Sequence, residues 1–173
     1  MFGDGSCYTL AHLAEQHLIA IGTNIAGGSG TQPKVEQAAL LLWNYTAEKT
    51  VWEGTLDRPV SSFSALAISA DGRLCGTVSG GDEDPEIFVF DPNSRAFVDR
   101  LPLPSGQPLD LGLQSGPDEH LYGFTSDCIY RLDPHARNLE VLFHEPGGLA
   151  VAGPILDGRI YFASGHRLRS LVL

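Results

Sequence analysis

The chain has 173 residues, 43% hydrophobic and 18% charged, which suits one globular domain with a sizeable core and is too apolar for disorder. Its net charge of −10 excludes the basic surface that nucleic acids and anionic membranes require, so neither is expected as a partner. No apolar run approaches the roughly 20 residues of a membrane span, and residues 1–5 lack the basic and apolar regions of a signal peptide. The compartment stays open.

In chain order, residues 8–12, 17–22, 38–43 and 49–53 read as four short strands (a to d). The same set returns at 64–68, 73–78, 86–90 and 96–100, then at 109–113, 120–124, 128–132 and 139–143. A last set covers only 149–152, 159–163 and 167–171. The segments are rich in β-branched and aromatic residues and are broken by turn chemistry about every ten residues. Asp71-Gly72 and Asp157-Gly158 place a hairpin turn between strands a and b. Asp91-Pro92 and Asp133-Pro134 open the c–d turn, where Asp can accept backbone N–H groups ahead and Pro presets φ. Asn44 holds that slot in the first unit, within the formal sequon Asn44-Tyr45-Thr46.

Leu18, Leu74, Leu121 and Ile160 recur at intervals of 56, 47 and 39 residues, and Leu40, Ile87, Ile129 and Leu168 at 47, 42 and 39. That is the spacing of propeller blades. Strand c is apolar on both faces, as Leu40-Leu41-Leu42-Trp43 and Ile87-Phe88-Val89-Phe90. A half-solvated sheet would alternate; a sheet sandwiched between radial neighbours would not. The expectation is all-β: a β-propeller segment of about four four-stranded blades, over residues 7–54, 63–101, 109–143 and 148–173, the last lacking its outer strand. Two exposed blade faces and an unpaired edge at 167–171 would follow. The partner calls are missing blades in cis or a second copy in trans.

The recurring unit, Asp71-Gly72-Arg73-Leu74-Cys75-Gly76 with residues 87–92 and Glu119-His120-Leu121-Tyr122-Gly123 with 129–134, resembles the quinoprotein-like (PQQ-enzyme-like) bacterial β-propellers. The resemblance implies a blade, not a reaction, because its motifs are hairpin chemistry.

In propellers of this kind the b–c loops and d–a connections share the face on which ligands sit. Ligand-binding candidates there are Asn24, Lys34 and Glu36 in the long first b–c loop, Asp82, Glu83 and Asp84 in the second, Asp127 in the third, and His144 and His166. The acidic turn 82–84 could hold a hard cation, so calcium is the one cofactor considered, although its spacing is not that of an EF-hand. His144-Glu145 and His166 could form an acid–base pair across adjacent blades. Strand a lines the axis and is mostly apolar or small, with His12 and Asp110 as polar exceptions. No Cys-x-x-Cys pair, phosphate loop or nucleophile elbow occurs. The favoured function is a scaffold, the C-terminal part of a larger propeller, whose loop face binds a small molecule, glycan or protein. The alternative is part of a propeller enzyme of the lactonase, lyase or quinoprotein-dehydrogenase type.

Overall fold

The structure is a computed structural model that describes residues 6–26 and 35–173. Lys34 and most of the first b–c loop lie outside the described residues. The described chain is all strand and turn, in four successive blades. The first holds β1 (Ser6–Leu13), β2 (Leu18–Asn24), β3 (Leu40–Asn44) and β4 (Lys49–Gly54). The second holds β5 (Ser62–Ile68), β6 (Leu74–Ser79), β7 (Glu86–Asp91) and β8 (Ala96–Pro102). The third holds β9 (Pro108–Ser115), β10 (Leu121–Thr125), β11 (Cys128–Asp133) and β12 (Asn138–His144). The fourth has β13 (Val151–Leu156), β14 (Arg159–Ser164) and β15 (Arg167–Val172), in the order β13-β14-β15. Within each blade consecutive strands pair antiparallel, and Asn24 pairs with Ser62 across the first two blades.

The turns repeat as chemistry. The side chains of Asn44 and Asp133 each accept the backbone N–H groups two and three residues on, at 2.7–3.1 Å. Asp91 accepts the N–H of Asn93 at 2.8 Å and the hydroxyl of Ser94 at 2.9 Å. Each of these turns then closes through a left-handed residue, Glu48, Arg95 or Arg137. The Asp157-Gly158 hairpin has both φ values positive, at 49° and 69°, as a two-residue primed turn requires.

Three apolar layers fill the spaces between blades. Leu13, Leu18, Leu40 and Leu42 of the first blade meet Phe63, Leu74, Phe88 and Phe90 of the second. Cys75, Ile87 and Val89 of the second meet Leu121, Tyr130 and Leu132 of the third. Tyr122, Phe124 and Ile129 of the third meet Ile160 and Phe162 of the fourth. Each fully buried Leu or Phe contributes about 1.5–3 kcal/mol relative to exposure. Strand c therefore feeds two layers at once, which is why it is apolar on both faces.

Two expectations shift. The innermost strand of the fourth blade is Val151–Leu156, not residues 149–152. Leu149 stays in the connection, where its N–H goes to Ser126 O at 2.7 Å, and pairing instead runs down to Leu156–Arg159 beside the turn. Trp43, which pairs with Ile19, is half-buried. Phe90 is fully buried.

Candidate functional site

One face of the blade row is built from b–c loops interlocked with d–a connections. Ile25 N–H donates to Ser61 O and Ser61 N–H to Ser79 O, both at 2.9 Å. Farther along, Ser126 N–H donates to Gln107 O at 2.8 Å and Glu145 N–H to Asp127 O at 2.9 Å. These backbone bonds fix the height at which each candidate side chain stands.

The acidic turn faces an arginine of the chain itself. Arg58, 7% exposed on the connection into the second blade, donates from Nε to Glu86 Oε1 at 3.2 Å and from Nη2 to the Asp84 carbonyl at 3.1 Å. Its Nε also lies 3.4 Å from Glu83 Oε2. A buried guanidinium needs such partners, since a lone buried charge is costly. Beside it, Arg100 grips Asp57 with two bonds at 2.6 and 2.8 Å. Asp82, Glu83 and Asp84 are exposed. Among the described residues, no group of three His, Cys, Asp or Glu could hold a metal ion.

At the boundary of the third and fourth blades, Asp127 accepts the Ser126 hydroxyl at 2.7 Å and stays exposed. Glu145 is buried, and its carboxylate is taken by Arg169 of β15 at 2.5 Å, with the guanidinium over the Phe143 ring at 5.7 Å. His144 and His166 are both exposed. The partner of Glu145 is thus Arg169, not a histidine. Sequence reasoning missed Arg58 and Arg169. Neither lies in a motif, and only an arginine close to an acid-rich connection could have hinted at them.

Near the axis, each innermost strand is bulged against its neighbour, a device that re-aims side chains. In β1 the extra residue is Tyr8, and in β9 the irregular stretch includes Asp110 and Leu111, whose φ is +56°. Tyr8 and Asp110 meet across the second blade. Hydrogen bonding to the Asp110 carboxylate, helped by burial, pushes the Tyr8 phenol up to about 12. Asn24 pairs with Ser6 on one side and Ser62 on the other. Asn24 Oδ1 and Ser62 Oγ are both buried without a hydrogen-bond partner, while Ser64 Oγ and Ser79 Oγ stand 3.3 Å apart.

His12 stands elsewhere. It pairs with Ile19, meets the Tyr45 ring at 5.6 Å and a tilt of 55°, and with Leu10 and Ala11 lines an open cavity of about 560 Å³ on the outer face of the first blade. Glu36 is exposed beside the undescribed loop. His12, Asp110 and the acidic turn therefore stand among three separate sets of neighbours and do not form one mouth.

No protein-family model and no curated protein sequence matches the chain. Solved structures do. The WD40 repeats of RRP9 superpose with a TM-score of 0.72 at 15% identity, over 99% of this chain and 52% of that one. The chain is a β-propeller by fold. U3-55K gives 0.68 at 13% identity, over 99% and 53% of the two chains. A gluconolactonase from Xanthomonas campestris gives 0.62 at 15% identity, over 92% and 54%. At such identities the likeness concerns the fold alone. This propeller spans about half the length of those structures.

Proposed function

We propose that the chain is a propeller binding scaffold, part of a larger ring, with its ligand or partner contacts on the b–c loop face. The observation that carries this reading is the pair of buried, unpartnered oxygens, Asn24 Oδ1 and Ser62 Oγ, set in the strand register beside Ser6 and close to Tyr8. Buried polar atoms are nearly always hydrogen-bonded, and unpaired ones cost about 1–3 kcal/mol each. A ligand that opened the way to them would have to carry hydroxyl or amine groups, which favours a small polar molecule or a glycan over an apolar one. The narrower grouping with quinoprotein-like propellers rests on the hairpin motif alone. Calcium at residues 82–84 would have to compete with Arg58 for the Asp84 carbonyl and the Glu83 carboxylate.

The second reading, a lactonase-type enzyme, is favoured by the gluconolactonase structure among the matches and by the Tyr8–Asp110 pair. A thermal-shift screen with oligosaccharides, sugar lactones and calcium separates the two. Under the scaffold reading a saccharide raises the melting temperature, Asn24→Ala abolishes the rise, and no lactone is hydrolysed. Lactone turnover lost in Asp110→Asn would replace that reading with the enzymatic one, and no shift with any saccharide counts against the polar site.

A further inference from the structure

Asp71-Gly72 and Asp157-Gly158 fill the same slot, the turn between the first two strands of a blade, yet their surroundings are opposite. A side chain at either glycine would meet nothing within 4 Å, so crowding does not separate them. At the first pair both reactive groups are engaged. Asp71 Oδ1 accepts the Ser69 hydroxyl at 2.6 Å and the Arg73 N–H at 3.3 Å, and Oδ2 lies 3.3 Å from Arg73 Nε. The Gly72 N–H donates to Ser69 O at 2.9 Å. At the second pair both groups are free. Asp157 and Gly158 are exposed; among the described residues the Asp157 carboxyl has no hydrogen bond or ion pair and the Gly158 N–H has no acceptor. A third pair, Asp4-Gly5, lies outside the described residues.

We propose that Asp157 is a site of spontaneous modification, converting to isoaspartate in the native fold, while Asp71 is protected. The Gly158 nitrogen, with no side chain beside it, attacks Asp157 Cγ. The carboxyl hydroxyl leaves with the amide proton as water, and a five-membered succinimide closes. Water then adds to a ring carbonyl. Breaking the bond from the nitrogen to Cγ restores aspartate; breaking the bond to the backbone carbonyl carbon leaves isoaspartate, with the chain running through Cβ and Cγ. One water is lost and one regained, and nothing is oxidised. The consequence lies in the turn. Two residues with φ of 49° and 69° hold Leu156 opposite Arg159. The isoaspartyl link adds one atom to this loop, which a two-residue turn cannot absorb without disturbing that register. Arg159 opens the strand that carries Ile160 and Phe162 into the layer against the third blade, and Gly158 O accepts the Leu173 N–H at 2.9 Å. Modification therefore loosens the fourth blade. The proposal rests on this turn and not on the binding reading.

Ageing the 173-residue chain in neutral buffer at physiological temperature tests this. Isoaspartate is read in tryptic peptides by chromatography with mass spectrometry and by an isoaspartate-specific methyltransferase. The peptide ending at Arg159 should accumulate it at least about tenfold faster than the peptide ending at Arg73, because Asp71 must first lose its bonds. In urea the two rates should converge. Ser69→Ala removes the hydroxyl donor and should raise the rate at Asp71 in a chain that still melts cooperatively. Aged wild type should melt below fresh protein. Asp157→Glu, which would need a six-membered ring, should not change on ageing; glutamate already adopts positive φ in this fold, at Glu48 and Glu119. A native chain whose two peptides react alike, or whose Asp157 stays aspartyl, overturns the proposal. A contrast that persists in urea overturns it too, since sequence and not structure would then set the rates. Isoaspartate at Asp157 without a lower melt overturns the loosening of the blade.

Discussion

Strands β7 and β15 hold the same place in their blades and share the same antiparallel pairing to a central strand, yet their environments are opposite. Ile87, Phe88, Val89 and Phe90 of β7 are fully buried, whereas β15 exposes Arg167, Leu168, Arg169 and Ser170. The hairpin is made locally, by Asx turns and Asp-Gly chemistry that need no neighbour. Burial comes from the adjacent blades, and where one is absent the strand persists with its apolar residues in water. Interior and end therefore differ in packing, not in secondary structure.

The largest expected effect uses the three free cysteines as reporters of that difference. Cys7 is exposed in the first blade, while Cys75 and Cys128 are buried in the second and third. Burial pushes the Cys75 thiol up to about 12, so almost none is thiolate at neutral pH. Alkylation of the native chain followed by mass spectrometry should modify Cys7 alone. Cys75 and Cys128 should react about a thousandfold more slowly or less, and only through opening of the blades. Comparable labelling of all three would mean that the interior layers do not form.

Next come the aromatic side chains. Phe90→Ala, within the layer where Phe90 meets Trp52 at 4.8 Å and Phe97 at 5.3 Å, should cost about 3–5 kcal/mol in urea unfolding. Leu168→Ala in the monomer should change stability by no more than about 0.5 kcal/mol. Trp43→Ala should fall between, at about 1–3 kcal/mol, because only part of its ring is out of water. If Leu168→Ala proved as costly as Phe90→Ala in dilute monomer, the end face would be covered and the contrast between interior and end would fail.

Most of the architecture could be read in the chain, for a physical reason. Turn residues act over two or three positions, so Asp91-Pro92 and Asp133-Pro134 announce their turns wherever they fall, and Asn44 does the same work without proline. Strand c betrays its two packed faces through an unbroken apolar run. The loop face was far less legible. Arg58 reaches Glu86 and Arg169 reaches Glu145 across 28 and 24 residues. No local rule pairs such residues, and the meeting of Tyr8 with Asp110 depends on two bulges in separate strands. Innermost strand β13 shows the limit inside the fold itself. The backbone bond from Leu149 to Ser126 defers to Val151 a strand expected to start at residue 149.

The smallest effect tests whether the turns are as local as this contrast requires. Backbone N–H donation from Asn93, with the Ser94 hydroxyl, holds the Asp91 carboxyl below its ordinary value. Donation from the Ala136 N–H, with that of His135, does the same for Asp133. A carboxyl whose folded value is depressed stabilises the fold above its unfolded value, about 3.9, and loses that contribution as pH falls through the folded value. Both groups are exposed, so solvent screening keeps the contribution small. The Asp91→Asn, Asp133→Asn chain should melt slightly below wild type at neutral pH, and the gap should narrow as pH falls below about 5 and through the depressed folded value, where wild type protonates and loses its own advantage. Asn keeps an acceptor oxygen, as Asn44 does in the first blade, so the turns should survive and only their pH dependence should go. A gap that widens in acid would reverse the sign and show that these carboxyls are not held by the turn N–H groups. A double variant that fails to fold would show that the hairpins depend on more than their own turns.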